Sequence, residues 1–266
     1  MKKTISEIKF NSRRRLEYNY PRLIAATVLV GLVSITIMFV VYVIQVMNMD
    51  MAGIFNATLA QDTDKLIEIM DKTAADPFYL LITVLSSLIA SVITEIAITG
   101  FKKMVLTVAR GGRPDLSELF FPIFNNPDKI VILSAFVFAF FLLTQIPDWI
   151  ISFMASGDGS AGTVMYMVIE AVLFILYIAV TLFVSQAEFL YIDDPEKSVK
   201  ELVTESAALM RGNVLRYILL NLSFILWYLV AFFTFGAAFI IVIPYHCMAM
   251  AVFYRDLRQE MSGQGS

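Results

Sequence analysis

Apolar residues run along this chain in long blocks, and the charges are gathered between them. The uncharged stretch between Arg22 and Asp50 is 27 residues long, and that between Arg216 and Arg255 is 38. About 20 apolar residues suffice to cross a bilayer as a helix. The first block, Leu23–Met47, predicts one such helix. A second is expected over Phe78–Phe101, opened by Pro77 and carrying Glu95, and a third over Ile130–Pro147 with Pro127 just ahead. Proline suits these starts because its missing N–H has no acceptor in a first helical turn. The fourth covers Thr163–Ile192, with Glu170 and Glu188 near its two ends. Tyr217–Tyr254 as a single helix would be roughly 57 Å long at the helical rise, nearly twice the ~30 Å hydrocarbon core. It therefore splits into Tyr217–Phe233 and Ala237–Tyr254, with Thr234-Phe235-Gly236 as the turn and Gly236 free to adopt a positive φ. The expected fold is an all-α membrane protein of six transmembrane helices, a single membrane domain over 1–266.

Charge placement supports that count. With the N-terminus inside, the inner segments hold 18 of the 20 Lys and Arg, while the outer loops hold Lys65 and Lys72 beside eight acids. Basic residues concentrate on the cytoplasmic side of short loops. Five spans would put Arg255 and Arg258 outside, so six spans with both termini cytoplasmic is the better reading. The basic start followed by an apolar run is reminiscent of a signal peptide. Leu23–Met47 is far longer than such an apolar region, and no small-x-small cleavage site closes it, so it reads as a retained first span. Composition agrees: 59% of residues are apolar and 16% charged, against about 45–50% and 25% in soluble domains.

The inner segments that precede the odd spans look alike. Each ends in Asn-x-x-basic: Asn19 with Arg22, Asn126 with Lys129, Asn213 with Arg216. Upstream, Ile5, Ile8, Ser12 and Leu16, then Leu116, Leu119, Phe120 and Ile123, then Val199, Leu202, Ser206 and Met210 follow helical spacing. Such stripes fit helices lying in the headgroup plane near 4–18, 115–124 and 197–211. The Asn is expected to end each helix in a left-handed conformation, and the basic residue to mark the inner interface. One reading is only that any inner loop needs a helix stop and a basic residue. The other is three parallel repeats, 4–101, 115–192 and 197–257, each an interfacial helix followed by a helical hairpin, about a pseudo-threefold axis.

The C-terminal half carries a resemblance. Glu205-Ser206-Ala207-Ala208-Leu209-Met210-Arg211-Gly212-Asn213 leads into Leu220-Asn221-Leu222-Ser223-Phe224-Ile225-Leu226-Trp227, then Pro244-Tyr245 and Ala251-Val252-Phe253-Tyr254-Arg255-Asp256-Leu257. Earlier come Gly100, Ala109-Arg110-Gly111, Phe121-Pro122-Ile123-Phe124 and Gln145-Ile146-Pro147. These strings resemble a bacterial membrane family catalogued as domain of unknown function number 975, common in Firmicutes. Where that family has Ile-Pro-Gly, this chain has Ile146-Pro147-Asp148, so the bend after the third span is expected to differ. The resemblance spans nearly the whole chain and implies a multi-span protein of the bacterial cytoplasmic membrane. It implies no activity.

Chemistry is sparse. One cysteine, Cys247, excludes an internal disulfide, and with one histidine no Cys/His metal site can be assembled. Phosphate-loop, nucleophile-elbow and zinc-protease motifs are missing, and no basic patch points to nucleic acid. No cofactor is expected. Glu95 is the most conspicuous polar residue, since an acid inside a span faces protein or water by default; a bond to Ser91 or to Lys102 or Lys103, or an approach of His246, would hold it. Glu188 and Glu170 lie near span ends, where snorkelling is the plainer account. His246 near the sixth midplane, Asn221 and Gln186 are equally explained as interhelical hydrogen-bond formers. Trp149, Tyr191, Tyr217 and Tyr254 fit an aromatic belt. In the outer loop 48–77, Leu59, Leu66, Ile67, Ile69 and Met70 predict a short amphipathic helix, as a cap, lid or docking surface.

Two function classes follow. The first is a scaffold, accessory or envelope-homeostasis factor without catalysis, engaging the lipid bilayer and a membrane-protein partner through its inner helices. The alternative is a carrier or lipid-handling protein whose polar path is lined by Glu95, Glu188 and His246. An enzyme is not expected, because no nucleophile–base or acid–base pair is visible.

Overall fold

The computed structural model describes residues 2–154 and 160–263, with the side chains of 147–154 and 160–164 set aside. Trp149, Asp158 and the start of the fourth span at Thr163 therefore lie outside the described side chains. Among the described residues there are helices and turns and no strand. The elements are α1 (Ile5–Leu16), α2 (Tyr20–Met47), α3 (Met51–Leu59), α4 (Thr63–Ala75), α5 (Pro77–Ala109), a 3-10 helix (Leu116–Phe120), α6 (Phe121–Phe124) and α7 (Pro127–Met154). They continue with α8 (Ser160–Val184), α9 (Ala187–Asp193), α10 (Val199–Met210), α11 (Val214–Leu222), α12 (Ile225–Phe233) and α13 (Phe239–Gly263). Among the described residues six stretches are long and apolar enough to cross a membrane: Tyr20–Met47, Pro77–Ala109, Pro127–Ile146, Met165–Asp193, Val214–Phe233 and Phe239–Gly263.

Several boundaries differ from the expected ones, each for a local reason. The second span runs on past Lys102 to Ala109, 33 residues or roughly 50 Å, because Lys102 is paired within the protein and does not end the helix. The third helix passes through Pro147 to Met154. The fourth span is interrupted at Ser185-Gln186, and the fifth at Ser223-Phe224. Lys9 stabilises the second interruption, donating to the Ser223 carbonyl at 3.0 Å while its ammonium lies 4.7 Å from the centre of the Phe224 ring. The sixth helix starts at Phe239 and extends beyond Arg255 to Gly263. Its turn is as expected, with Gly236 at φ 88°. The middle inner segment is a 3-10 turn joined to a single α turn, not a regular amphipathic helix. The loop 48–77 forms two helices, α3 and α4, where one was expected.

The chain divides into two compact units, and the boundaries fall within α2, α5, α7 and α8. The first unit comprises Met1–Val33, Thr94–Leu133 and Thr181–Ser266. Its centre is α13: 67% of the most apolar stretch of that span is buried, against 6–22% for the other five spans. Met248, Ala249, Ala251, Phe253 and Tyr254 form its inward faces. The stripe Ile8, Ser12 and Leu16 of α1 is fully buried, with α1 packed on α13, and Leu202, Ser206 and Met210 of α10 are likewise buried, with α10 packed on α9 and α13. Burying each Ile or Leu here contributes about 1.5–3 kcal/mol. The stripes of α1 and α10, expected to lie in the headgroup plane, thus face protein. Only the middle segment keeps its apolar residues outward: Leu116, Phe120, Ile123 and Phe124 are exposed.

The second unit comprises Ser34–Ile93 and Ser134–Val180. Asp50 caps α3 by accepting from the Gly53 amide at 2.9 Å, and Asp62 caps α4 by accepting from the Lys65 amide at 3.0 Å. Gly53 also lets the two helices close up, since a Cβ there would lie 2.9 Å from Ile69 Cδ1. Phe55, Leu59, Ile67 and Met70 remain exposed. Between α2 and α5 runs an apolar groove of about 360 Å³ lined by Ile37, Val41, Ile44, Leu85, Ile89 and Ile93 among others.

Candidate functional site

Glu95, Thr99 and Lys102 fall at i, i+4 and i+7 of α5, a spacing that puts them on one helix face. Glu188 meets that face from α9. Lys102 Nζ lies 2.6 Å from Glu188 Oε2 and 4.0 Å from Glu95 Oε1, and the Thr99 hydroxyl donates to the same Glu188 oxygen at 3.0 Å. Glu188 reaches this position because the helix is interrupted just before it. Ser206 of α10 satisfies two backbone groups at the break, accepting from the Gln186 amide at 3.1 Å and donating to the Phe183 carbonyl at 2.6 Å. Gln186 was expected to tie helices through its side chain; among the described residues its amide group bonds only the neighbouring Ser185 hydroxyl, at 3.0 Å. Ser91 likewise turns to the Leu88 carbonyl, not to Glu95.

A second pair lies on α11 and α13. His246 Nε2 is 3.0 Å from Asn221 Oδ1. The Asn221 amide nitrogen is committed to the Tyr217 carbonyl at 2.9 Å, so its oxygen faces the ring and His246 Nε2 is the donor. Phe224 and Tyr228 pack edge-on against the imidazole, with centroids at 4.8 and 5.8 Å. The four candidate intramembrane residues therefore form two pairs. Glu95 and Glu188 meet through Lys102, and His246 joins Asn221. Glu170 is exposed on α8. Lys102, expected as a partner of Glu95, lies nearer Glu188; Thr99 was not singled out in the sequence, and its spacing from Glu95 was the available signal.

The repeat-motif residues occupy one structural position. Asn19, Asn126 and Asn213 each immediately precede the first residue of a spanning helix, at Tyr20, Pro127 and Val214. The expected left-handed conformation holds only for Asn126, at φ 55°. In the third segment Gly212 takes it, at φ 75°, because glycine does so without Cβ strain. Asn19 and Asn213 instead donate their side-chain amides to the carbonyls four residues back, at 3.3 and 3.1 Å, closing the preceding helix. Asn125 makes that bond in the middle segment, at 2.8 Å, leaving Asn126 free to reach elsewhere.

Each motif then contacts the residues that lead into the next inner helix. Arg22 donates to the Pro114 carbonyl at 3.3 Å. Asn126 donates to the Pro195 carbonyl at 3.1 Å and to Glu196 at 2.9 Å. Arg216 donates to the Lys3 carbonyl at 2.6 Å, and Lys2 donates to Asn213 Oδ1 at 2.9 Å. First meets second, second meets third, and third meets first.

Charged groups crowd the helix ends around these motifs. Arg216 bonds Asp256 and Glu260, while Lys197 and Arg258 share Glu205. Arg110 bonds Asp193, which also accepts from the Tyr254 hydroxyl at 2.6 Å. Arg15 and Arg255 both donate to the Ala109 carbonyl. The Glu118 carboxyl, pushed up by burial, accepts from the Thr107 hydroxyl at 3.0 Å. Among the described residues no three His, Cys, Asp or Glu side chains are grouped to hold a metal.

No curated protein and no solved structure matches the chain. The family model described as Protein of unknown function (DUF975) matches residues 1–261, and the chain belongs to that family.

Proposed function

We propose that this chain is a multi-pass protein of the bacterial cytoplasmic membrane, with both termini cytoplasmic, acting as a scaffold, accessory or envelope-homeostasis factor without catalysis of its own. One observation carries the reading: Glu95, Glu188, Asn221 and His246 are all engaged by side chains of the same chain. Polar groups committed in this way brace helices against one another, whereas a catalytic group must reach its substrate. The motif contacts that run from each inner segment to the next support three parallel repeats in the same sense. Exposed residues such as Phe55, Leu59, Ile67 and Met70 on α3 and α4 support a partner on the outer side. Purification in mild detergent is expected to retain a membrane-protein partner, and deletion to alter envelope properties. Recovery of the protein alone, with an unchanged envelope after deletion, overturns the reading.

A carrier is the second reading. Two carboxyls, Glu95 and Glu188, face one ammonium, Lys102. One negative charge is left over, which a proton or a transported cation would neutralise. On that reading Glu95→Gln, Glu188→Gln or His246→Ala changes transport or lipid distribution; no change in all three removes it.

A further inference from the structure

Three arginines meet at the carboxyl end of α5. Arg15 of α1 and Arg255 of α13 donate to one oxygen, the Ala109 carbonyl, and Arg110 follows in the chain. Two nitrogens bonded to one oxygen lie within about 6 Å of each other. Arg15 and Arg255 therefore face each other with like charge. Against them the helix end offers only the partial charge of its carbonyls. The local carboxylate is Asp193, bonded by Arg110 and by Tyr254. Asp256 and Glu260 are committed to Arg216, and Glu205 to Lys197 and Arg258. Among the described residues Arg15 and Arg255 form no ion pair, so the three guanidiniums share one paired carboxylate, that of Asp193.

We propose that Arg15, Arg110 and Arg255 form a binding site for a phosphate-bearing anion, either an anionic phospholipid headgroup or free phosphate. A guanidinium has five donors in a planar fork that matches phosphate oxygens. Arg15 and Arg255 each spend one on Ala109 among the described residues, and the fixed carbonyl aims both at the same place. Arg110 has a side chain that is 44% exposed, so the cluster opens to the surface. Neighbouring basic groups serve other purposes. Arg13 donates to the Tyr245 hydroxyl at 3.0 Å, and Arg22 to Pro114. The site thus differs from the Glu95–Lys102–Glu188 cluster in sign and in residues.

The test uses the full chain purified in a zwitterionic detergent. Inorganic phosphate is titrated calorimetrically, and mixed micelles holding phosphatidylglycerol or phosphatidylcholine are compared by native mass spectrometry. Saturable phosphate binding, weakened at least tenfold in an Arg15→Gln/Arg255→Gln variant, is expected. Retention of phosphatidylglycerol over phosphatidylcholine, lost in the same variant, identifies a headgroup as the source. Phosphate binding without lipid preference supports the site and identifies a soluble anion. Absence of both, or binding equal to wild type in the variant, overturns the proposal. Should the double variant not fold, Arg15→Gln alone is measured, and unchanged binding there overturns it equally. The phosphate titration does not depend on membrane orientation or on the scaffold reading, so a failed partner search leaves it intact.

Discussion

A charge held inside an apolar helix is tolerated when its partner is equally well placed, and removing one partner strands the other. Lys102 is in that position, 2.6 Å from Glu188 with Glu95 at 4.0 Å. Lys102→Met should lower stability by about 3–5 kcal/mol, read as a fall in unfolding temperature in detergent. Lys102→Met combined with Glu188→Gln should recover part of the loss. A double variant no better than the single one would show that Lys102 acts through packing, not charge. Glu95, Glu188 and His246 were legible one by one, because each interrupts an apolar block. Their pairing was not. The sequence offers Lys102 to Glu95, seven residues away, but its nearer partner, Glu188, is 86 positions away on an element whose direction depends on Ser206. Asn221 and His246, 25 positions apart on antiparallel neighbours, were recognisable as hydrogen-bond formers but not as each other's partner.

At the scale of elements, six spans were readable because length and charge-free runs dictate them, while the interruptions at 185–186 and 223–224 were not. Neither contains proline or glycine; the broken backbone groups are satisfied by Ser206 and Lys9, which belong to other helices. The sequence marks the starts of α1, α10 and the 3-10 helix with capping residues. Thr4 and Glu7, Ser198 and Glu201 form capping boxes, and Asp115 accepts from the Ser117 amide at 2.7 Å with Glu118 three residues on. From cap to motif Asn the interval is 15 residues in the first and third segments but 11 in the second. Losing four residues removes about one helical turn, which explains the short middle segment. That segment sits directly on α5: a Cβ at Gly100 would lie 2.0 Å from the Leu119 carbonyl oxygen. Gly100→Ala should therefore displace it and cost about 1–3 kcal/mol, visible as increased protease access between 110 and 126; unchanged access would show that α5 can shift instead. The capping carboxyls give a pH prediction. The Thr4 amide and hydroxyl hold Glu7 below the usual carboxylate range, and the Ser198 hydroxyl and amide do the same for Glu201. Stabilisation from a depressed carboxyl is full above its ordinary pKa and is lost as pH falls through the lowered value. Hydrogen exchange in the first turns of α1 and α10 should be slower than in Glu7→Gln and Glu201→Gln at neutral pH, and equal to them once the carboxyls are protonated.

At the scale of the whole molecule, the motif contacts make a distinctive demand. If the three inner segments form one closed circuit, weakening any junction should loosen the same structure, in proportion to what that junction holds. Arg216 holds most. Its side chain, 15% exposed, donates to the Lys3 carbonyl, Asp256 and Glu260, and Asp256 is only 4% exposed. Lys3 is also 3.7 Å from Asp256 and would share the burden, so Arg216→Ala should cost about 3 kcal/mol, the low end for a broken buried pair. Asn126 makes two uncharged-donor bonds to Pro195 and Glu196, and Asn126→Ala should cost about 1–2 kcal/mol. Arg22 is exposed and makes one bond of 3.3 Å to Pro114; Arg22→Ala should cost under about 1 kcal/mol, as exposed charges generally do. Unfolding temperatures should fall in the order Arg216, Asn126, Arg22. The circuit also predicts coupling. Because Lys2 and Lys3 join the third segment to the first, Lys2→Ala and Arg216→Ala should combine to less than the sum of their separate effects, since both open the same junction. Strict additivity of that pair, together with a scrambled order among the three motif variants, would leave the segments as independent stops ahead of three helices and would remove the structural argument for the repeats.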